Sequence, residues 1–367
     1  MIPLTTTPDR GNGQQAQLGR KIIERRKTNG LEPERLSLRN IVSIGSGSYH
    51  SFAVDNAGVV YAWVRHNLRI TKLTNLTRKI LSISQGLNSL DQTGVGRDEG
   101  GSNAIVPIPT PVKALHPSKL NGRRVVAISG GEHHSLFLLS DGSVWGCGRC
   151  DGYELGLADD HPALDEVDKR RIDYERRWRE KRAVVFAKRE KEAAAKQRRR
   201  ANSISGRKGI GSRAQTEEPV EQQSGMVSRT PSYTEQDEWA SDKPPLQNEF
   251  VMQPVPIPFP PPPSSLDSEE DPELPPWNDS YYTTAPGDPV AHISVGTRHN
   301  LAVTRGGFVY AWGFSPQSAL GLGRDVEAAK TPTRVKSKAM KGWIVDQIAA
   351  GGQHCLALAR RLEATNK

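Results

Sequence analysis

Val125 to Gly148 reads VVAISGGEHHSLFLLSDGSVWGCG. An apolar run leads to Gly131-Glu132-His133-His134, a second apolar run follows, then Asp141-Gly142, then a third run ending in Trp145 and Gly148. Val, Ile, Leu, Phe and Trp suit half-buried strands, and a glycine in a tight connection supplies the positive φ that hairpins need. The stretch therefore predicts three antiparallel strands. It also recurs. Ile41 to Trp63 reads IVSIGSGSYHSFAVDNAGVVYAW, Val290 to Gly313 reads VAHISVGTRHNLAVTRGGFVYAWG, and Val345 to Arg361 reads VDQIAAGGQHCLALARR. The pairs Gly47 and His50, Gly131 and His134, Gly296 and His299, and Gly351 and His354 hold the same place in each copy.

A tail signature follows the third strand at Thr93-Gly94, Leu155-Gly156 and Leu320-Gly321, and stands without its hairpin at Leu18-Gly19. Short hairpins of this kind cannot bury their faces singly. Stacking successive four-stranded blades around an axis buries them. The expected fold is all-β, a β-propeller with about four recognisable repeats, and four matched copies favour it over a β-sandwich.

Two segments interrupt the period. His299 and His354 are 55 residues apart, whereas His50 and His134 are 84 apart. The excess falls after Trp63. Val64 to Gln85, 22 residues, separates Tyr61-Ala62-Trp63 from Gly86-Leu87-Asn88. Removing it restores the repeat, so the segment is read as a retained intron. Its first codon admits GT, its last admits CAG, and Leu73 to Thr77 admits a CTAAC-like element. A genuine loop insertion at a blade edge is the alternative.

The second interruption, 159–289, carries an Arg-, Lys-, Glu- and Ala-rich stretch from Leu164 to Arg200, which predicts an exposed charged helix. A polar stretch over 201–243 reads as disordered, and Pro254 to Pro263 as extended. The expected organisation is a non-repeat N-terminus at 1–10, blades over 11–158, the insertion over 159–289, blades over 290–361 and a tail at 362–367. Because Gly11 to Arg20 is the tail of a repeat, the chain is expected to begin inside a blade, with upstream blades missing.

The 367 residues carry a formal net charge of +9, with 35% hydrophobic and 25% charged residues. That charge favours an anionic partner. Lys196, Arg198, Arg199, Arg200, Arg207 and Lys208 form a basic cluster, read as a nuclear localisation signal or a DNA-phosphate contact against a merely solvated helix end. Three cysteines give no disulfide framework and point to a reducing compartment. No apolar run is long enough to span a bilayer, so no membrane association is expected.

Covalent chemistry is not indicated. Cys147 and Cys150 have C-x-x-C spacing but no second pair to complete a zinc site. The recurrent histidines, one per blade after a glycine, read as scaffold groups that satisfy loop hydrogen bonds. No phosphate-binding G-x-x-x-x-G-K-[ST] loop and no nucleophile–base pair is present. No metal or cofactor is expected.

The G-x-x-H strand, the Asp141-Gly142 hairpin, Tyr310-Ala311-Trp312-Gly313 and the Leu-Gly tail together resemble the regulator-of-chromosome-condensation repeat. The match covers about Gly11 to Ala158 and Val290 to Arg361, outside the two interruptions. The order of motifs (Gln14 to Arg20, an Arg-rich linker over Lys21 to Arg39, then S-Y-H-S-F-A, S-G-G-E-H-H and A-G-G-Q-H) resembles the C-terminal portion of a fungal-like member that exchanges nucleotide on the small GTPase Ran. The resemblance implies a seven-bladed propeller, of which this chain holds only part. It further implies a nuclear, monomeric protein with one face towards Ran and basic segments towards nucleosomal DNA. A propeller adaptor that exchanges nothing is the competing reading. A ubiquitin ligase bearing such repeats would need a further catalytic domain. Residues at the funnel rim are the implied Ran contacts: Ser48, Tyr49, Glu132, His133, Thr297, Arg298 and Gln353, with Glu132 and His133 foremost. His134 already fills the repeat slot, so His133 is expected to project freely.

Overall fold

The computed structural model describes residues 8–9, 34–48, 50–64, 106–205, 244, 249–266, 268–278 and 287–362. Two-residue strands β1 (Pro8–Asp9) and β2 (Glu34–Arg35) pair with each other. Three four-stranded antiparallel sheets follow. The first blade is β3 (Ile41–Ser46), β4 (His50–Asp55), β5 (Val60–Val64) and β6 (Val106–Pro111). The second is β7 (Val125–Gly130), β8 (His134–Leu139), β9 (Val144–Arg149) and β10 (Phe250–Pro256). The third is β11 (Val290–Val295), β12 (His299–Thr304), β13 (Val309–Phe314) and β14 (Ala328–Arg334). A hairpin, β15 (Trp343–Ala350) and β16 (Cys355–Arg361), repeats the first two strands. These are β-propeller blades.

The hairpin turns form where the glycines predict them. Gly58, Gly142 and Gly307 have φ of 85°, 87° and 84°. The first strands β3, β7, β11 and β15 neighbour one another in chain order. Between consecutive blades an isoleucine on one first strand packs against the second strand of the blade before. Ile128 meets Phe52 and Val54, and Ile293 shares a cluster with Leu136 and Leu138. Phe52, Phe137, Leu136 and Trp312 are completely or almost completely buried. Each such side chain contributes on the order of 2 kcal/mol by leaving water.

One boundary differs from the sequence expectation. Phe250–Pro256, inside 159–289, is the fourth strand of the second blade. Its prolines are tolerated because β10 is the edge strand of its sheet and needs no outward amide donor. The other fourth strands, VPIPTP and AAKTPTR, also contain proline. Ile257 and Phe259, just beyond β10, are buried, and Phe259 packs edge-on to Tyr310 and Trp312. Both interruptions therefore enter at one place, between third and fourth strands. Residues 65–85 and the polar stretch 206–243 lie outside the described residues.

Among the described residues one α-helix, α1 (Pro162–Ser205), occupies the second interruption. It begins within the blade unit, where Val167, Ala163 and Leu164 pack with Leu155 and Val251. His161 caps it, its Nδ1 accepting the Ala163 amide at 3.1 Å. Residues 168–247 form a separate unit.

Candidate functional site

The rim loops join the first and second strands of each blade, and their shape follows from the G-x-x-H spacing. The glycine amide donates to the carbonyl of its own histidine, at 2.9 Å for Gly47 and Gly131 and 2.8 Å for Gly296 and Gly351. The imidazole folds back over the glycine. A Cβ at Gly131 would stand 2.4 Å from the His134 Cε1 and 2.8 Å from the Gly296 carbonyl of the next blade. Only glycine leaves that space.

Each histidine then reaches across to the residue after the next blade's histidine. His50 Nε2 lies 2.8 Å from Ser135 Oγ, His134 Nε2 lies 2.7 Å from Asn300 Oδ1, and His299 Nε2 lies 3.2 Å from Cys355 Sγ. The histidine's partner is thus a neighbouring blade's side chain, where the sequence suggested loop backbone. His354 stands exposed.

The pair His299–Cys355 has the elements of a nucleophilic dyad but the wrong electrostatics. Burial, reinforced by His134 and His354, pushes His299 down to about 4, and burial pushes the Cys355 thiol up to about 11. Both groups are neutral near pH 7, and a neutral thiol is a poor nucleophile. His134 is also held low, chiefly by burial. Among the described residues no cluster of three or more His, Cys, Asp or Glu is placed to hold a metal ion.

Backbone bonds set the loops side by side. Ser48 donates its amide to the Gly131 carbonyl at 3.0 Å, and Glu132 to the Thr297 carbonyl at 3.1 Å. Thr297 Oγ1 donates to the Gly352 carbonyl at 3.1 Å. Ser48, Thr297 and Gln353 are exposed, while Glu132, His133 and Arg298 are half-buried. Tyr49 lies outside the described residues.

His133 does not project freely. Its Nε2 lies 3.7 Å from Glu132 Oε1, and its carbonyl accepts the Arg149 amide at 2.9 Å. Burial lowers its pKa, with Glu132 pulling the other way. The ring is therefore an uncharged donor and acceptor near pH 7.

Arg298 is likewise held. Its Nε donates to Glu154 Oε1 at 2.6 Å, and its guanidinium stacks 4.9 Å from the Phe314 ring. Glu154 is fully buried, and its other oxygen accepts the Gly152 amide at 2.7 Å. Its carbonyl accepts from Asn300 Nδ2 at 2.7 Å and Trp312 Nε1 at 3.2 Å. Arg149 completes the group, bonding Asp151 and lying 3.7 Å from Glu154; that bond to Asp151 is the main reason its pKa is raised. A buried carboxylate of the second blade thus fastens the third blade's rim loop. Removing one partner of such a pair strands a charge.

Arg149, Asp151 and Glu154 were not legible as site residues. The one signal is the acid immediately before Leu155-Gly156, where the other tails have Gln17, Gln92 and Ala319. Tyr153 was missed too. It is 44% exposed and has φ 63°, a left-handed conformation that costs a residue with a Cβ about 1 kcal/mol.

Residues 306–358 and 125–153 match the regulator of chromosome condensation (RCC1) repeat. The chain carries regulator of chromosome condensation repeats. Protein pim1 of Schizosaccharomyces pombe is 31% identical to it over 96% of this chain and 42% of the relative. The guanine nucleotide exchange factor SRM1 of Saccharomyces cerevisiae is 24% identical over 94% of this chain and 44% of the relative. The chain thus spans a little under half the length of these relatives. The crystal structure of Prp20p from Saccharomyces cerevisiae, described with its binding to Gsp1p and histones, shares the fold. Its TM-score is 0.54 at 21% identity, over 96% of this chain and 51% of Prp20p.

Proposed function

We propose that this chain is part of a guanine nucleotide exchange factor for the small GTPase Ran, acting at chromatin in the nucleus. The observation that carries the reading is similarity over nearly the whole chain to pim1 and to a protein named as a guanine nucleotide exchange factor. The row of rim loops supports it, because it offers an extended polar surface. Exchange makes no bond. A factor that binds nucleotide-free GTPase more tightly than the loaded form shifts the equilibrium towards release, tenfold for each 1.4 kcal/mol of differential affinity.

In this reading Ser48, Tyr49, Glu132, His133, Thr297 and Gln353 meet the GTPase. Glu132 offers a carboxylate and His133 an uncharged imidazole, so the contact is hydrogen-bonding rather than cationic at that point. Arg298 contributes its remaining donors while anchored on Glu154. Any Mg²⁺ belongs to the GTPase, and the chain acts as a monomer without a cofactor of its own. Chromatin is met by phosphate contacts from the basic cluster. Lys196, Arg198 and Arg199 are exposed on α1, Arg200 belongs to the same helix, and Arg207 and Lys208 lie outside the described residues.

The slot after the blade tryptophan supports reading 64–85 as foreign to the first blade. In the second and third blades that slot is Gly148 and Gly313, with φ of 108° and 98°. A Cβ there would stand 2.4 Å from a rim-loop carbonyl. In the first blade Val64 holds the slot, and Gly86 follows the segment.

The test replaces Glu132 and His133 together by alanine and follows release of fluorescent GDP from Ran. Exchange should fall at least tenfold with binding to nucleosomes retained. Exchange at the wild-type rate removes these two residues from the site. If the unsubstituted chain neither binds Ran nor speeds release, the exchange-factor reading fails and an adaptor remains.

A further inference from the structure

We infer that Tyr153 is an aromatic anchor for the protein partner of the rim. The inference rests on the exchange-factor reading above and names a contact that the repeat pattern did not. Four copies of the tail allow the position two before the Leu/Thr-Gly pair to be compared. It holds Ala16, Asp91, Tyr153 and Ser318. Tyr153 is the one bulky residue of the four.

The backbone makes that choice unfavourable for folding alone. Tyr153 and Ser318 share the same left-handed conformation, at φ 63° and 59°, so the turn itself imposes it. Glycine, asparagine and aspartate enter this region most readily, and a bulky aromatic there is an outlier. The turn is built without help from the side chain. Its bonds are Tyr153 amide to Cys150 carbonyl at 3.1 Å, Gly156 amide to Tyr153 carbonyl at 3.0 Å, and Gly152 amide to Glu154. No hydrogen bond to the phenol hydroxyl is found among the described residues, and the side chain remains substantially in water. A strained aromatic whose hydroxyl has no hydrogen bond among the described residues fits a role in binding, since strain is retained where function uses it.

Its surroundings fit a protein partner. The turn leaves β9 at Arg149, whose amide is bonded to the His133 carbonyl of the rim loop. Gly152 abuts the Arg298 guanidinium of the next rim loop, which would come within 2.1 Å of a Cβ there. Tyr153 therefore rises from a turn tied to one rim loop by the Arg149 amide and to the next by the buried Glu154. A rigid, amphipathic ring with two rotatable bonds, encircled by polar groups, is the composition of an interface hot spot. The matching partner surface is a shallow pocket with an apolar wall and a carbonyl or carboxylate to accept the phenol hydrogen, on the GTPase.

The experiment compares the unsubstituted chain with Tyr153→Asn and Tyr153→Phe. It measures thermal midpoint and affinity for nucleotide-free Ran by surface plasmon resonance. Tyr153→Asn should keep or raise the midpoint, because asparagine accepts the left-handed turn, and should weaken Ran binding at least tenfold. Tyr153→Phe should keep the midpoint and lose less affinity. Undiminished binding by Tyr153→Asn overturns the anchor while leaving the exchange-factor reading intact. A marked fall in the midpoint of Tyr153→Asn also overturns it, since the ring would then be part of the fold. Absence of Ran binding by the unsubstituted chain overturns both.

Discussion

His299 has 1% of its surface exposed and is pushed down to about 4 by burial, so folding favours its neutral form. An unfolded chain holds histidine near 6.5. Between these values the unfolded state binds the extra proton, so stability is complete above about pH 6.5 and is lost as pH falls towards 4. His134 shifts the same way and adds to the effect. Urea unfolding should therefore show a loss on the order of 2 kcal/mol between pH 7 and pH 4.5 that His299→Gln reduces. A pH-independent difference between the two proteins would remove this histidine from the account. At this scale the sequence showed which histidines recur. It did not show their partners, because Ser135, Asn300 and Cys355 are chemically unlike and belong to other repeats.

The helix α1 is polar on all sides, which in isolation argues against stability. Ion pairs support its first half, among them Asp168–Arg171 and Glu175–Arg179. Each contributes about 0.2–0.5 kcal/mol. From Pro162 to Lys181 seven basic residues face six acidic ones; from Arg182 to Ser205 eight face two. Lys196, Arg198 and Arg199 have no ion pair among the described residues, and none of the cluster is in the last turn, where the helix dipole favours cations. Replacing Lys196, Arg198, Arg199 and Arg200 by glutamine should leave helicity unchanged by circular dichroism. Titrations of duplex DNA across a salt series should show a log–log slope shallower by about 3. An unaltered slope would mean the cluster is only a solvated helix end.

Over the blade unit as a whole, stability is carried by interfaces between neighbours, as in other repeat architectures. Ile293 is 5% exposed and joins Leu136 and Leu138 of one blade to Leu301 and Val303 of the next. Ile293→Ala should cost about 2–4 kcal/mol and shift the denaturant midpoint of the entire blade unit. Separate unfolding of the third blade, with the second unaffected, would show the interface to be weaker than its burial implies.

What the amino-acid sequence determined by itself was the repeat. Glycine spacing, hairpin turns and strand alternation act within about twenty residues, and each copy states them again. That sufficed for the blades and for the histidine slot. Tertiary structure decided the rest. The fourth strand of the second blade lies about a hundred residues from its third and is proline-bearing, so no local pattern joins Phe250–Pro256 to β9. Arg298 is anchored rather than free because Glu154, 144 residues away in sequence, is buried beneath it. Tyr153 stands out only once its backbone conformation is known. Contacts between blades depend on stacking, and stacking brings together residues whose separation in the chain carries no periodic signal.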